Sequence, residues 1–196
     1  VGNDQLETVN KRNNKYLNKT IVINNWINEN DIYPLDSNNN DVLDFKKKYK
    51  LENKFIVMYS GNLGLFYDLE NLIKVAKKFT HIEDMVFVFV GNGAKKRELE
   101  EYKINNKLSN IIFISYRPKS ELNVSLNVAN VHLVVNAKGI KGVSVPSKIY
   151  GVLASGKYVV GVLEKGSEAR RIIEESNCGK CCLLYTSDAA DEGLGV

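Results

Sequence analysis

The sequence predicts an α/β protein: a Rossmann-like parallel sheet with helices on both faces. Five short apolar runs, at residues 54–60, 85–90, 111–115, 131–135 and 158–162, are continuous rather than alternating, as strands buried on both faces are. The segments between them space their apolar residues at helical intervals. Several runs end in glycine or another loop-forming residue, the punctuation of a strand that turns into a helix.

Along the chain, residues 1 to about 20 are polar, rich in Asn and Lys, and show no clear period. Ile21-Val22-Ile23 is a short strand candidate, followed by Asn24-Asn25-Trp26. Residues 28–41 read as loop, with Pro34 and three consecutive asparagines, and residues 42–49 as a short helix. The regular alternation then begins. The first strand stops at Gly61, and Leu69, Leu72, Ile73, Ala76 and Phe79 mark a helix starting near Asp68. The second strand stops at Gly91-Asn92-Gly93 and leads into a charged helix at 94–107. After the third strand, residues 119–129 place Leu122, Leu126 and Ala129 on one helical face. After the fourth, a Gly-containing loop leads to a helix at 147–154, and after the fifth comes a helix at 167–176 with a strand close behind it. The expected divisions are 1–27 as the end of a preceding lobe and a crossing segment, 28–49 as linker and short helix, 50–181 as the layered domain, and 182–196 as a tail.

Composition narrows the function classes. The chain has 196 residues, 44% apolar and 26% charged, an ordinary soluble balance with enough length for a core. Its formal charge of +4 is spread over lysines interleaved with acids, which gives no footprint for nucleic acid. No apolar run approaches the roughly 20 residues that span a bilayer. Val1-Gly2-Asn3-Asp4 is neither a signal peptide nor an initiator start, so the chain reads as part of a longer protein. Cys178, Cys181 and Cys182 include a Cys-Gly-Lys-Cys spacing, but with His81 and His132 as the only histidines nothing completes a metal site. No metal is expected, and the cysteines read as reduced thiols of a cytoplasmic protein. The segment 183–192 resembles a translated sequencing-library adapter, so residues 182–196 are expected to be non-native and to carry no function.

In an open parallel sheet ligands sit beyond the carboxyl ends of the strands. The loops there are Gly61-Asn62-Leu63-Gly64, Gly91-Asn92-Gly93, Tyr116-Arg117-Pro118 and Val145-Pro146-Ser147-Lys148. Glycines let backbone approach a ligand, helix N-termini favour anions, and Ser147 and Lys148 add a hydroxyl and an ammonium, so a phosphate-bearing ligand is the first expectation. Ser147 also suits a helix N-cap. The Gly-x-Gly-x-x-Gly spacing and a ribose-binding acid after the second strand are both missing, which disfavours a dinucleotide oxidoreductase.

Taken together, these loops carry a family resemblance. Val22-Ile23-Asn24-Asn25-Trp26 resembles the "V-I-P-N-W" crossing, Met58 to Gly64 resembles "Y-(A/S)-G-N-L-G", Phe89 to Gly93 resembles "F-(V/L)-G-x-G", and Val145 to Gly151 resembles "V-P-S-K-x-Y-x". From about Ile21 to Cys181 the chain is similar to the C-terminal, donor-binding half of GT-B glycosyltransferases of family 4, closest to the colanic-acid and N-acetylfucosaminyl transferase group. The resemblance implies retaining transfer from a nucleoside-diphosphate sugar, UDP- or GDP-linked, with no cofactor. The acceptor implied is a cell-surface saccharide or a lipid-linked one, reached through the other lobe. It implies Gly61, Asn62, Leu63, Gly64, Ser147 and Lys148 at the diphosphate, Gly91, Asn92, Gly93, Tyr116, Arg117 and Pro118 near the nucleoside, and Val145 and Tyr150 on the sugar side. It leaves the catalytic residues unknown. It implies a cytoplasmic protein with peripheral contact at the inner face of the cell membrane, and no transfer by this part alone. Many relatives carry two glutamates around the last loop, where this chain has Val143 and Gly151. Another GT-B enzyme such as a nucleotide-sugar 2-epimerase, or a nonenzymatic Rossmann-like binding module, is the alternative.

Overall fold

The computed structural model describes residues 2–12 and 19–183. Six parallel strands form one sheet: β1 (Phe55–Ser60), β2 (Met85–Val90), β3 (Ile111–Ile114), β4 (Val131–Val135), β5 (Tyr158–Val162) and β6 (Gly179–Cys182), in the order β3-β2-β1-β4-β5-β6. Seven helices accompany them: α1 (Asn3–Arg12), α2 (Asn40–Lys48), α3 (Leu69–Lys77), α4 (Lys96–Asn105), α5 (Lys119–Asn127), α6 (Lys148–Ala154) and α7 (Glu168–Glu175). The chain steps outward from β1 to β3, returns to lay β4 on the other side of β1, and steps outward again to β6.

The two faces of β1 show why its apolar run is continuous. Val57 and Tyr59 face the cluster built by Leu69, Leu72 and Ile73 of α3 and Leu99 of α4. Ile56 and Met58 face Val42 and Phe45 of α2, with Val128 and Ala129. On the other half of the sheet, Val134 and Val159 pack against Ile149 and Val152 of α6 and Ile173 of α7. Each such side chain, buried from solvent, contributes about 1.5–3 kcal/mol.

Two expectations are corrected. Ile21-Val22-Ile23 forms no strand: Ile21 and Ile23 are 82% and 64% exposed, and β1 already has both neighbours. Residues 3–12, which show no clear period, form α1, because that helix is held by tertiary anchors rather than by an apolar stripe. Further on, the linker is stapled to α5. Asn123 and Asn127 accept from the N–H of Tyr33 and Leu35, and Ile32 is buried beneath. The tail expectation falls mostly on residues 184–196, which lie outside the described residues; Cys182 closes β6. Among the described residues no helix is long and apolar enough to cross a membrane.

Candidate functional site

The strand order reverses between β1 and β4, and the sheet opens there. β1 and β2 pair over six residue pairs, whereas β1 and β4 pair only at Val57–Val131 and Met58–His132. The loops that follow β1 and β4 therefore leave on opposite faces, the place where open α/β sheets bind ligands. A crevice of about 400 Å³ lies there, bounded by Gly61 and Asn62, by Tyr116 and Arg117, and by Ser147 and Lys148.

Lys148, the first residue of α6, dominates the electrostatics. Its Nζ lies 3.6 Å from the Tyr59 ring centroid and 4.2 Å from that of Tyr67. The nitrogen is buried and has no hydrogen-bond acceptor among the described residues. Aromatic faces attract the cation, and burial disfavours it and brings its pKa down to about 7. The same burial raises the phenols of Tyr59 and Tyr67, so neither supplies a counter-charge. Tyr59 is held in place by donating from its hydroxyl to the Asn62 carbonyl at 2.7 Å. Gly61 has to be glycine on two counts. Its φ is +146°, and a Cβ there would stand 3.1 Å from Cε and 3.2 Å from Nζ of Lys148.

The neighbouring glycines meet backbone rather than open space. A Cβ on Gly91 would lie 1.9 Å from the Gly61 carbonyl oxygen, and one on Gly93 would lie 2.4 Å from that of Leu63. Gly61 N–H donates to Val90 O at 2.9 Å, Leu63 N–H to Asn92 O at 2.9 Å, and Lys95 N–H to Leu63 O at 2.9 Å. The β1 and β2 loops are thus stitched together, with Leu63 fully buried in the core and Gly64 against the Asn62 side chain.

On the α6 side, Ser147 is exposed and takes helical dihedrals, and its hydroxyl makes no cap hydrogen bond. It remains available to a ligand. Arg117 is engaged already: its Nη1 donates to the Tyr49 hydroxyl at 2.8 Å and pairs with Glu121 at 3.4 Å. The Tyr116 ring is half exposed at the rim. Pro118 caps α5, and Val145 and Tyr150 pack against the β4–β5 core cluster. Burial and the Glu168 charge push the Tyr150 phenol up.

Of the sequence-derived candidates, the fold gathers Gly61, Asn62, Tyr116, Arg117, Ser147 and Lys148 around one space. It sets Leu63, Gly64 and Gly91 to Gly93 behind one wall, and Pro118, Val145 and Tyr150 outside the lining. Sequence reasoning missed the Tyr59–Tyr67 pair: Tyr59 opens the Tyr-Ser-Gly-Asn-Leu-Gly motif, but nothing in the motif brings it together with Tyr67 around Lys148. His132 takes no part. It is buried, its Nε2 lies 2.9 Å from Leu126 O, and burial lowers its pKa to about 4, so it stays neutral. The three cysteines are free, and burial raises the Cys181 thiol to about 11, far from a reactive thiolate. Among the described residues no three His, Cys, Asp or Glu gather as metal ligands.

Comparison with known proteins agrees with this geometry. The family model for glycosyl transferases group 1 matches residues 41–179. The chain is 28% identical over 162 residues to a probable glycosyltransferase, WbjE, of Pseudomonas aeruginosa, covering 83% of this chain and 40% of WbjE. It is 33% identical over 123 residues to a putative colanic acid biosynthesis glycosyl transferase, WcaI, of Escherichia coli, covering 63% of this chain and 30% of WcaI. The chain thus spans well under half the length of these relatives. Among solved structures, Anabaena HepE in complex with UDP-glucose superposes with a TM-score of 0.67 at 18% identity, over 84% of this chain and 43% of HepE. At that identity the likeness is one of fold.

Proposed function

Because this chain belongs to the group 1 glycosyl transferases, we propose that its crevice binds the diphosphate of a nucleoside-diphosphate sugar. One observation carries the reading. Lys148 is a buried ammonium with no anionic partner among the described residues, at the point where the strand order reverses. A diphosphate would supply the missing charge, with the exposed Ser147 hydroxyl beside it. Tyr116 offers a flat face to the nucleoside. The UDP-glucose held by HepE supports a UDP-linked donor, and GDP-linked donors are the other class to test.

The reaction we infer is retaining glycosyl transfer of the family 4 type, with no metal. The acceptor is a cell-surface polysaccharide precursor or a lipid-linked saccharide, a reading that the colanic acid relative supports. The described residues around the crevice include no carboxylate and no histidine. We therefore assign turnover to a protein of the length of its relatives, and expect this stretch alone to bind donor without transferring it. A cytoplasmic location with peripheral membrane contact belongs to the same proposal.

Titration calorimetry with UDP and GDP tests the site. One of the two should bind, and Lys148→Ala should weaken it at least tenfold; failure of both to bind would end the donor-site reading. With the longer protein, retention or inversion at the anomeric carbon is read by NMR of the product.

A further inference from the structure

The lysine and serine of the crevice stand at the end of a loop whose own hydrogen bonds are few: Val143 N–H and Ser144 N–H donate to Ile140 O, and Asn136 Nδ2 donates to Ser144 O at 3.4 Å. Residues 136–147 contain no helix or strand. Pro146 has no N–H to contribute, Ser147 makes no cap, and α6 is only seven residues long. The direction in which Lys148 leaves the loop therefore depends on outside anchors. Near the loop's start, Glu164 Oε1 accepts from Gly139 N–H at 2.8 Å and Lys141 N–H at 3.2 Å. The next anchor comes from the far end of the chain.

That anchor is Asp4 on α1, 4% exposed. Its Oδ1 accepts from its neighbour Gln5 N–H at 2.8 Å. Its Oδ2 accepts from Gly142 N–H at 3.3 Å and from Glu168 N–H, at the start of α7, at 3.1 Å. One carboxylate oxygen thereby ties the loop to α7. Three neighbouring contacts complete the docking. Gln5 Nε2 donates to Val143 O at 3.0 Å, and Asn3 N–H donates to Glu168 Oε2 at 3.0 Å. Gly142 has φ +72°, and a Cβ on it would come within 2.1 Å of Thr8 Oγ1. Helix and loop touch with no room for a side chain between them.

We propose that Asp4 is a positioning residue for the donor site: by pinning Gly142 to the start of α7 it sets where Ser147 and Lys148 stand against Gly61. The proposal rests on the donor-site reading above. Asp4 carries both acceptors that these N–H groups use. Asparagine has one acceptor oxygen: turned toward Gly142 and Glu168 it keeps those two bonds and sets its NH2 against the Gln5 N–H, whereas alanine loses every bond. Alanine should therefore loosen the loop more than asparagine, a graded order that a simple loss of shape would not produce.

The test uses the whole 196-residue chain. UDP and GDP binding are measured by calorimetry for the wild type, Asp4→Asn, Asp4→Ala and the core control Ile173→Val. Amide hydrogen exchange is followed over residues 139–148. Asp4→Ala should bind the nucleotide about five- to tenfold more weakly, the scale of a lost charge-assisted hydrogen bond, and Asp4→Asn should lose less. Both variants should also exchange faster across the loop, while Ile173→Val lowers stability and leaves affinity unchanged. Unchanged nucleotide affinity in the Asp4 variants overturns the proposal, whatever the exchange rates. So does an equal loss in Ile173→Val, because stability alone would then explain the effect. If wild type binds neither nucleotide, the donor-site reading has failed and this inference goes with it.

Discussion

The two walls of the crevice are made differently. On the β1–β2 side, Gly61, Leu63, Gly91 and Gly93 close backbone upon backbone, and the N–H groups of Gly61, Leu63, Gly91 and Lys95 each find a carbonyl. On the α6 side, the ammonium of Lys148 is buried without an acceptor and Ser147 leaves its hydroxyl unused. Those N–H groups of the first wall are satisfied without a ligand, and among the described residues the Lys148 ammonium of the second is not. A satisfied wall contributes stability; an unsatisfied one costs stability and keeps it in reserve for binding. Both walls come from glycine-bearing loops at strand ends, so a loop's composition does not say which kind it builds.

The sharpest way to break this contrast is Gly91→Ala. The new Cβ would meet the Gly61 backbone oxygen at a φ of +150°, and neither partner is a flexible side chain. We expect a loss of about 3 kcal/mol or more in urea unfolding. A loss below about 1 kcal/mol would show that the wall yields and that the contrast is overstated.

Lys148→Met should act with the opposite sign on stability. Burial lowers the pKa of Lys148, so desolvation opposes the charge that the two aromatic faces attract. Replacing the ammonium by an apolar chain of similar length should stabilise the fold by about 1 kcal/mol at neutral pH. The same change should weaken UDP or GDP binding by about tenfold or more. A destabilised Met variant would mean that the tyrosine pair holds the charge more strongly than burial opposes it.

The smallest effect is a pH dependence. Lys148 titrates near 7 in the fold against 10.5 for an ordinary lysine. Between those values the unfolded chain binds more protons, so stability rises with pH across the window, and the burial penalty is fully present below it. Binding runs the other way, because a diphosphate favours the ammonium. UDP affinity should be highest near pH 7 and fall about three- to tenfold by pH 9, a range in which its terminal phosphate (pKa near 6) is already ionised. The dependence should vanish in Lys148→Met. A flat profile in the wild type would place the charge of Lys148 outside the binding step.

Much of this was legible before any coordinates. The five unbroken apolar runs announced a sheet covered on both faces, and each is a strand. The loops at their ends announced a ligand edge, and Gly61, Asn62, Ser147 and Lys148 do meet there. Two local readings failed for reasons that are not local. Ile21-Val22-Ile23 has strand-forming residues but joins no strand of the sheet, and β1 has both its sides taken by β2 and β4. Asn3–Arg12 shows no clear period, and its helix is fixed by Asp4 reaching residues 142 and 168.

Periodicity and turn chemistry are properties of neighbouring residues, so the sequence by itself determined the fold class, the strands and the edge on which the loops gather. Contacts between residues far apart in the chain exist only once the sheet is assembled. The tertiary structure alone decided that Gly91 is shaped by Gly61, that Lys148 rests on Tyr59 and Tyr67, and that a carboxylate at the start of the chain holds the loop that delivers that lysine.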